Sequence, residues 1–264
     1  MRHIFTISAV FFLLTVYSIH STAQPPRPSA VDARASYVEA HRVWLLERDG
    51  KQIVWFENGI KKSEGGMVQG KRSGDWNFWY ENGKPKGSGP YTAGAKDGIW
   101  KYFFETGALE AQGLYRDDRR EGAWNFFYPN GTKRLEGSYT GGLRQGVWIN
   151  YYETGRVFFK GEYRDGLASG AWEYYFQNGQ LNQKGEYQNE TRVGAWTVCI
   201  FPSSPCQTEN FGPVNVPRES GVPLVSDPTP RVNNTRNPGQ LLDSMEQDSV
   251  PEDVPPSVRG DWDR

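Results

Sequence analysis

The sequence predicts an all-β protein: one elongated antiparallel sheet of tandem 24-residue β-hairpins, followed by a disordered C-terminal tail. Three observations predict it. Trp76 recurs as Trp100, Trp124, Trp148, Trp172 and Trp196, each 24 residues after the last, and the glycine two places earlier recurs with it, from Gly74 to Gly194. A fixed period of this size marks a repeat array in which each unit buries its apolar face against its neighbours. Asn-Gly pairs begin at Asn58, Asn82, Asn130 and Asn178, and Thr-Gly pairs at Thr106 and Thr154, where the apolar runs stop. Such pairs favour the positive φ of a two-residue type I′ hairpin turn. Finally, 14% aromatic residues and 30 glycines beside a negative mean hydropathy suit a thin, twisted sheet with aromatic ladders better than a thick aliphatic core.

Taken in order, residues 1–23 begin with Arg2 and His3, run apolar over 4–19, and reach Ser21-Thr22-Ala23. This is the three-part pattern of a secretory signal peptide cleaved after Ala23. An uncleaved anchor is the alternative, although the apolar run falls a little short of the ~20 residues a membrane span needs. The chain is therefore expected to be exported, to the periplasm, the cell surface or the medium, with no stable membrane span. Residues 24–36, with Pro25, Pro26 and Pro28, read as an extended linker. Residues 37–69 read as a degenerate capping repeat: two strand-like runs flank Asp49-Gly50, but Gln52 replaces the tryptophan and Met67 the tyrosine. Residues 70–206 form the array. Residues 207–264, rich in Pro, Ser, Asn and acid, read as disordered, with a short helix over 240–245.

A two-residue turn at Asn82-Gly83 would set 81 opposite 84, 80 opposite 85, 78 opposite 87 and 76 opposite 89, and cross-strand partners share a face. One face then carries Trp76 over Gly89, Phe78 over Gly87, Tyr80 by Pro85, and Tyr91. A tryptophan lying across a strand glycine fills the gap the glycine leaves, so this is the structural face. The other face is polar, with Asn77 by Ser88, Trp79 by Lys86 and Glu81 by Lys84, except for one column: Trp79, Phe103, Phe127, Tyr151 and Tyr175. Two readings of the column stay open. The rings could stack into a ladder that stiffens the ribbon, or they could form an apolar stripe rimmed by charge that binds a partner.

The run Tyr-x-x-Gly-x-x-x-Gly-x-Trp at residues 91–100, 139–148 and 163–172 resembles the MORN repeat, in its bacterial variant ending in Tyr-Tyr-x-Asn-Gly. The runs from Tyr115 and Tyr187 depart from it only at Asp118 and Glu190, which stand for the middle glycine. The likeness spans Gly50 to Trp196. It implies hairpins laid side by side in one elongated sheet, and a role as a scaffold or interaction module. Lipid binding is proposed for some members, and bacterial ones include YwqK-like antitoxins.

Composition excludes several functions. With 30 basic and 31 acidic residues, net charge −1 and signs alternating within each unit, there is no basic stripe for nucleic acid. Beyond residue 23 only His41 remains of three histidines, which leaves no Ser-His-Asp or histidine metal site. No catalytic, cofactor-binding or metal-ligating residue is therefore assigned. Glu81, Glu105 and Glu153 read as solvated partners of Lys84 and Arg156 rather than as acid pairs. No helix follows the glycines, so they cradle no phosphate. Cys199 and Cys206, the only cysteines, can form a disulfide in an exported chain worth ~2–3 kcal/mol, or remain free thiols. Asn130, Asn189 and Asn233 open glycosylation patterns, and the tail holds Arg259-Gly260-Asp261. The expected function is a non-catalytic, protein-binding scaffold. The alternative is an antitoxin-like immunity protein that neutralises a toxin, and glycan or lipid headgroup binding comes third.

Overall fold

The computed structural model describes residues 24–200 and 205–212. The expected signal peptide, the helix at 240–245, the Asn233 pattern and Arg259-Gly260-Asp261 lie outside the described residues. Within them, seventeen strands form one antiparallel sheet. Pairing follows chain order, from Ser36–Val38 against Val43–Arg48 to Thr191–Val198 against Gln207–Phe211. A typical unit contributes two strands, Lys71–Trp79 and Pro85–Thr92 in the first full copy.

Two kinds of turn alternate along the sheet. Between units, pairs such as Asp49-Gly50, Gln69-Gly70 and Asp165-Gly166 hold positive φ at both positions, 51° and 72° at the first. That is the type I′ geometry whose twist matches the strands. Within units, at Asn82-Gly83, only the glycine has positive φ, at 82°. The Gly83 N–H donates to the Tyr80 carbonyl, and the Tyr80 N–H to the Lys84 carbonyl, both at 2.9 Å. This is a type I turn closed by a glycine bulge, not the two-residue turn expected from sequence. Asn82 Oδ1 accepts from the Lys84 N–H at 2.9 Å, so the asparagine caps the turn with negative φ and one glycine suffices. The expected pairs Trp76–Gly89 and Phe78–Gly87 are present, but Lys86 becomes an extra residue and Trp79 faces Pro85. Tyr80 therefore does not face Pro85, and Glu81 and Lys84 are not ladder partners.

The core is the face bearing the repeated tryptophans. Trp76, Trp100, Trp124, Trp148 and Trp196 are wholly buried. Each ring crosses the glycine of the preceding strand rather than that of the following one, which corrects the expected Trp76 over Gly89. Trp76 lies on Gly65, and its Nε1 donates to the Gly66 carbonyl at 3.0 Å. Trp124 does the same with Gly113 and the Leu114 carbonyl, also at 3.0 Å. A cation covers the outer side of the ring: the Arg120 guanidinium stands 4.7 Å from Trp124 and donates to Tyr139 Oη at 2.8 Å. Tyr139 in turn meets Trp124 and Trp148 edge-on, at 6.1 and 4.9 Å. Each tryptophan is thereby tied to the units on both sides, as a repeat stack requires. Arg72, Lys96, Arg144 and Arg192 occupy the same place over Trp76, Trp100, Trp148 and Trp196. Sequence reasoning assigned these cations no part in the core.

Both ends of the array differ from expectation. Residues 24–36 are not an extended linker, because residues 27–35 fold back onto the sheet. The Val31 N–H donates to Pro28 O and the Ala35 N–H to Asp32 O, both at 3.0 Å, making two consecutive turns. Arg27 pins them by donating to the carbonyls of Ala33 and Ala35, at 2.6 and 3.0 Å. The driving force is apolar, since Val31 and Ala35 are buried against Trp44 and Trp55. At the other end the sheet continues past residue 206. Gln207–Phe211 pairs with Thr191–Val198, and Phe211 lies 6.3 Å from the Trp196 ring, so the last tryptophan keeps a neighbour.

A disulfide joins Cys199 to Cys206 at the loop end of this last hairpin, closing a separation of seven residues. Closure of so short a loop contributes about 2–3 kcal/mol on the chain-entropy model. Cys199→Ser with Cys206→Ser is expected to abolish amide-exchange protection over 207–211 while leaving that of the central units intact. Hydrogen exchange read by mass spectrometry checks this, and loss of protection throughout would contradict it.

Candidate functional site

The face opposite the core carries an apolar row. The bulged turns place Phe103 opposite Leu109, Phe127 opposite Lys133, Tyr151 opposite Val157 and Tyr175 opposite Leu181, as they place Trp79 opposite Pro85. The five aromatic positions expected from sequence are thus every second member of a longer row, and Pro85, Leu109, Val157 and Leu181 fill the gaps. Two-residue turns would have put Lys86 and its counterparts there. All five rings are half-buried. Among the described residues no ring contact joins two of the five, so they do not stack into a ladder.

Sequence reasoning missed the start of the row. Trp55 precedes Trp79 by one period, faces Lys61 on one side and Trp44 on the other, and Trp44 faces Tyr37. The 24-residue spacing was the available signal, obscured because Gln52 breaks the tryptophan pattern nearby. These first rings are covered by residues 27–35, and the rest of the row is not.

Ion pairs rim the uncovered part. Lys61 Nζ stands 5.9 Å from the Trp79 ring and 2.6 Å from Glu64. Lys133 is paired with Glu136 at 2.6 Å, and Tyr151 Oη donates to the same carboxylate at 2.5 Å. Further along, Lys160 is 2.8 Å from Glu173, which also accepts from Tyr175. Lys133 and then Tyr151 hold the Glu136 carboxyl below the usual carboxylate range, and Lys160 and then Tyr175 do so for Glu173. Between the Lys61 and Lys133 pairs the row runs through Trp79, Pro85, Phe103, Leu109 and Phe127, with Lys86 next to Phe103 and Glu110 next to Phe127 on the preceding strands. Ile99 and Val147, 58% and 61% exposed, add apolar surface on the same face. A shallow concavity lined by Phe56, Lys62, Trp79, Tyr80 and Lys86 opens beside the row. No group of three or more His, Cys, Asp or Glu side chains converges to hold a metal among the described residues.

The tyrosines make the structure sensitive to alkali. Burial first, then Glu136, pushes Tyr151 up to about 12. Burial is also the main cause of the raised values of Tyr163 and Tyr174. A phenol whose folded pKa lies above its unfolded value stabilises the fold fully below about pH 10, and that contribution is lost as pH rises through the folded pKa. Melting temperature is expected to hold up to about pH 10 and then fall. Phenolate absorbance at 295 nm should rise together with loss of the β circular dichroism signal. Smooth ionisation of all tyrosines near pH 10 with the fold intact would contradict this.

A single sheet of tandem hairpins, locked on one face by tryptophan on glycine, defines a β-hairpin repeat protein with one face left open. The family model described as "MORN repeat variant" matches residues 72–93, 96–117, 120–140, 144–165 and 169–189. These five stretches are tandem repeats of the MORN type. Repeat folds of this family are generally non-catalytic. No curated protein matches the chain. Among solved structures, similarity is found to the GtfA/B complex bound to UDP and GlcNAc, at 17% identity over 42% of this chain and 22% of that one, with a TM-score of 0.19. It is also found to accessory secretory protein 1, 2 and 3 of Streptococcus pneumoniae, at 14% identity over 44% and 19%, again with a TM-score of 0.19. The chain spans about a fifth of the length of the solved structures it matches. No helix among the described residues is long and apolar enough to cross a membrane.

Proposed function

We propose that this chain is an exported, non-catalytic scaffold that holds a protein partner on the apolar row opposite the tryptophan face. The observation that carries the reading is a row of rings, one per repeat, that stay half exposed and do not pack on one another. A fold alone has no use for such spacing, because each ring forgoes burial worth about 25 cal/mol per Å². Aromatic and aliphatic side chains flanked by paired lysines and glutamates match the apolar centre and polar rim of a protein interface. Export rests on the signal pattern of residues 1–23. An antitoxin role is the special case in which the partner is a toxin. The test is cross-linking of a partner captured from the native host, read by mass spectrometry. Links through Lys61, Lys101, Lys133 and Lys160, which stand on or beside the row, support the reading. Links confined to the turn residue Lys84, or to Lys96 of the tryptophan face, would overturn it.

A further inference from the structure

One stretch of the row is already occupied, and its occupant shows what chemistry the row accepts. Residues 27–35 lie on Tyr37, Trp44 and Trp55, and from there the row continues without a break into Lys61, Trp79 and Pro85. Three features make the contact. Val31 and Ala35 are buried at 4% and 3% exposure against Trp44 and Trp55. The Arg27 guanidinium stands 5.1 Å from the Trp44 ring, where its charge meets the negative π face. Pro28 closes on Gly59, the glycine of the Asn-Gly turn, so tightly that a Cβ there would come within 2.7 Å of it.

Parts of this seat recur further along the sheet. The turn glycine returns as Gly83, Gly107, Gly131, Gly155 and Gly179, always with positive φ. At Gly131 and Gly179 nothing lies within 4 Å of where a Cβ would stand, so the place that Pro28 takes at Gly59 is open. The rings of Trp79, Phe103 and Phe127 stand where Trp55 stands, one and more periods on, and Leu109, which faces Phe103, lies in the row between the last two. The half-buried carboxylate of Glu110, beside Phe127 on the preceding strand, suits a basic residue arriving from outside.

We propose that the uncovered row takes a proline-bearing segment of a partner polypeptide, seated as residues 27–35 are seated on Trp44 and Trp55. Its proline stands against a turn glycine, its arginine over a ring of the row, and its small apolar residues between. The inference rests on the row being a docking surface and adds the partner's chemistry. A segment folded by its own turns loses little conformational freedom on docking, which favours this class over a floppy polar chain.

The experiment titrates the full chain into a fluorescently labelled synthetic peptide of residues 24–36 and follows anisotropy. Saturable binding is expected, weakened at least about tenfold in Phe103→Ala with Phe127→Ala, which corresponds to about 1.4 kcal/mol. Arg27→Ala within the peptide should weaken it as well. Leu109→Lys, which keeps both rings, serves as a second variant should the double variant fold poorly, and it too should bind the peptide more weakly. Absence of saturable binding, or equal binding by wild type and row variants, as exchange at Trp44 and Trp55 would give, overturns the proposal. If the peptide fails while a captured partner still cross-links through Lys101 and Lys133, the proline chemistry is wrong and the docking surface stands. If those cross-links are absent too, the docking surface itself falls.

Discussion

Trp124→Ala is expected to destabilise the protein by about 3–5 kcal/mol, the range for removing a large, fully buried aromatic side chain. For an array of this size that is a drop in melting temperature on the order of 10 °C. Three losses combine. The ring that lies on Gly113 is lost, and with it the closest cover of the strand there. Its Nε1 no longer satisfies the Leu114 carbonyl. Arg120, itself only 7% exposed, loses the π face on which its charge rests, and Tyr115 and Tyr139 lose their edge contacts. Because each unit is held chiefly by its neighbours, damage at this central position should divide the array. Thermal unfolding followed at 222 nm is expected to broaden or become biphasic, and an unchanged single transition would refute the packing account.

Gly137→Ala should be nearly as damaging, although alanine usually improves on glycine in a strand by about 0.5–1 kcal/mol. A Cβ at this position would lie 2.2 Å from the Trp148 ring, far inside contact distance. The ring is fully buried, hydrogen-bonded to the Ser138 carbonyl and packed on Tyr139, so it cannot step aside cheaply. The expected cost is about 1–3 kcal/mol of overpacking, or more where the ring is expelled. Chemical denaturation measures it directly, and a neutral or stabilising result would mean that the ring does not lie on the glycine.

How far the sequence could be read depended on which residues carried period 24. Trp76, Gly89 and Tyr91 repeat without drift, so the sheet, its array and the tryptophan face were legible. Which glycine lies under each ring was not, because Trp76 pairs with Gly89 in the ladder while its side chain leans onto Gly65. The turn was misread because Asn-Gly serves a two-residue turn and a type I turn with a glycine bulge equally well. That single shift changed the candidate site: Trp79 gained Pro85 as its ladder partner in place of Lys86, and the isolated column gained Pro85, Leu109, Val157 and Leu181 between its rings. The fold of residues 27–35 had no periodic signal. Prolines suggested extension, and only the presence of Trp44 and Trp55 on the open face explains why Val31 and Ala35 turn back onto it. The last strand, Gln207–Phe211, was hidden by its polar composition. Pairing with Thr191–Val198 and the cysteine link hold it, not apolar pattern.

The central claim is that the two faces have separate tasks, one holding the fold and the other a partner. Phe103→Ala with Phe127→Ala tests it most directly when melting temperature and partner capture are measured on the same preparation. Both rings are half-buried and touch no other ring of the row, so the melting temperature should fall by only about 4–8 °C, as for a loss near 2 kcal/mol. Capture should weaken at least about tenfold, as for loss of an interface hot spot. Full capture, or a fall in melting temperature as large as that of Trp124→Ala, would contradict the account.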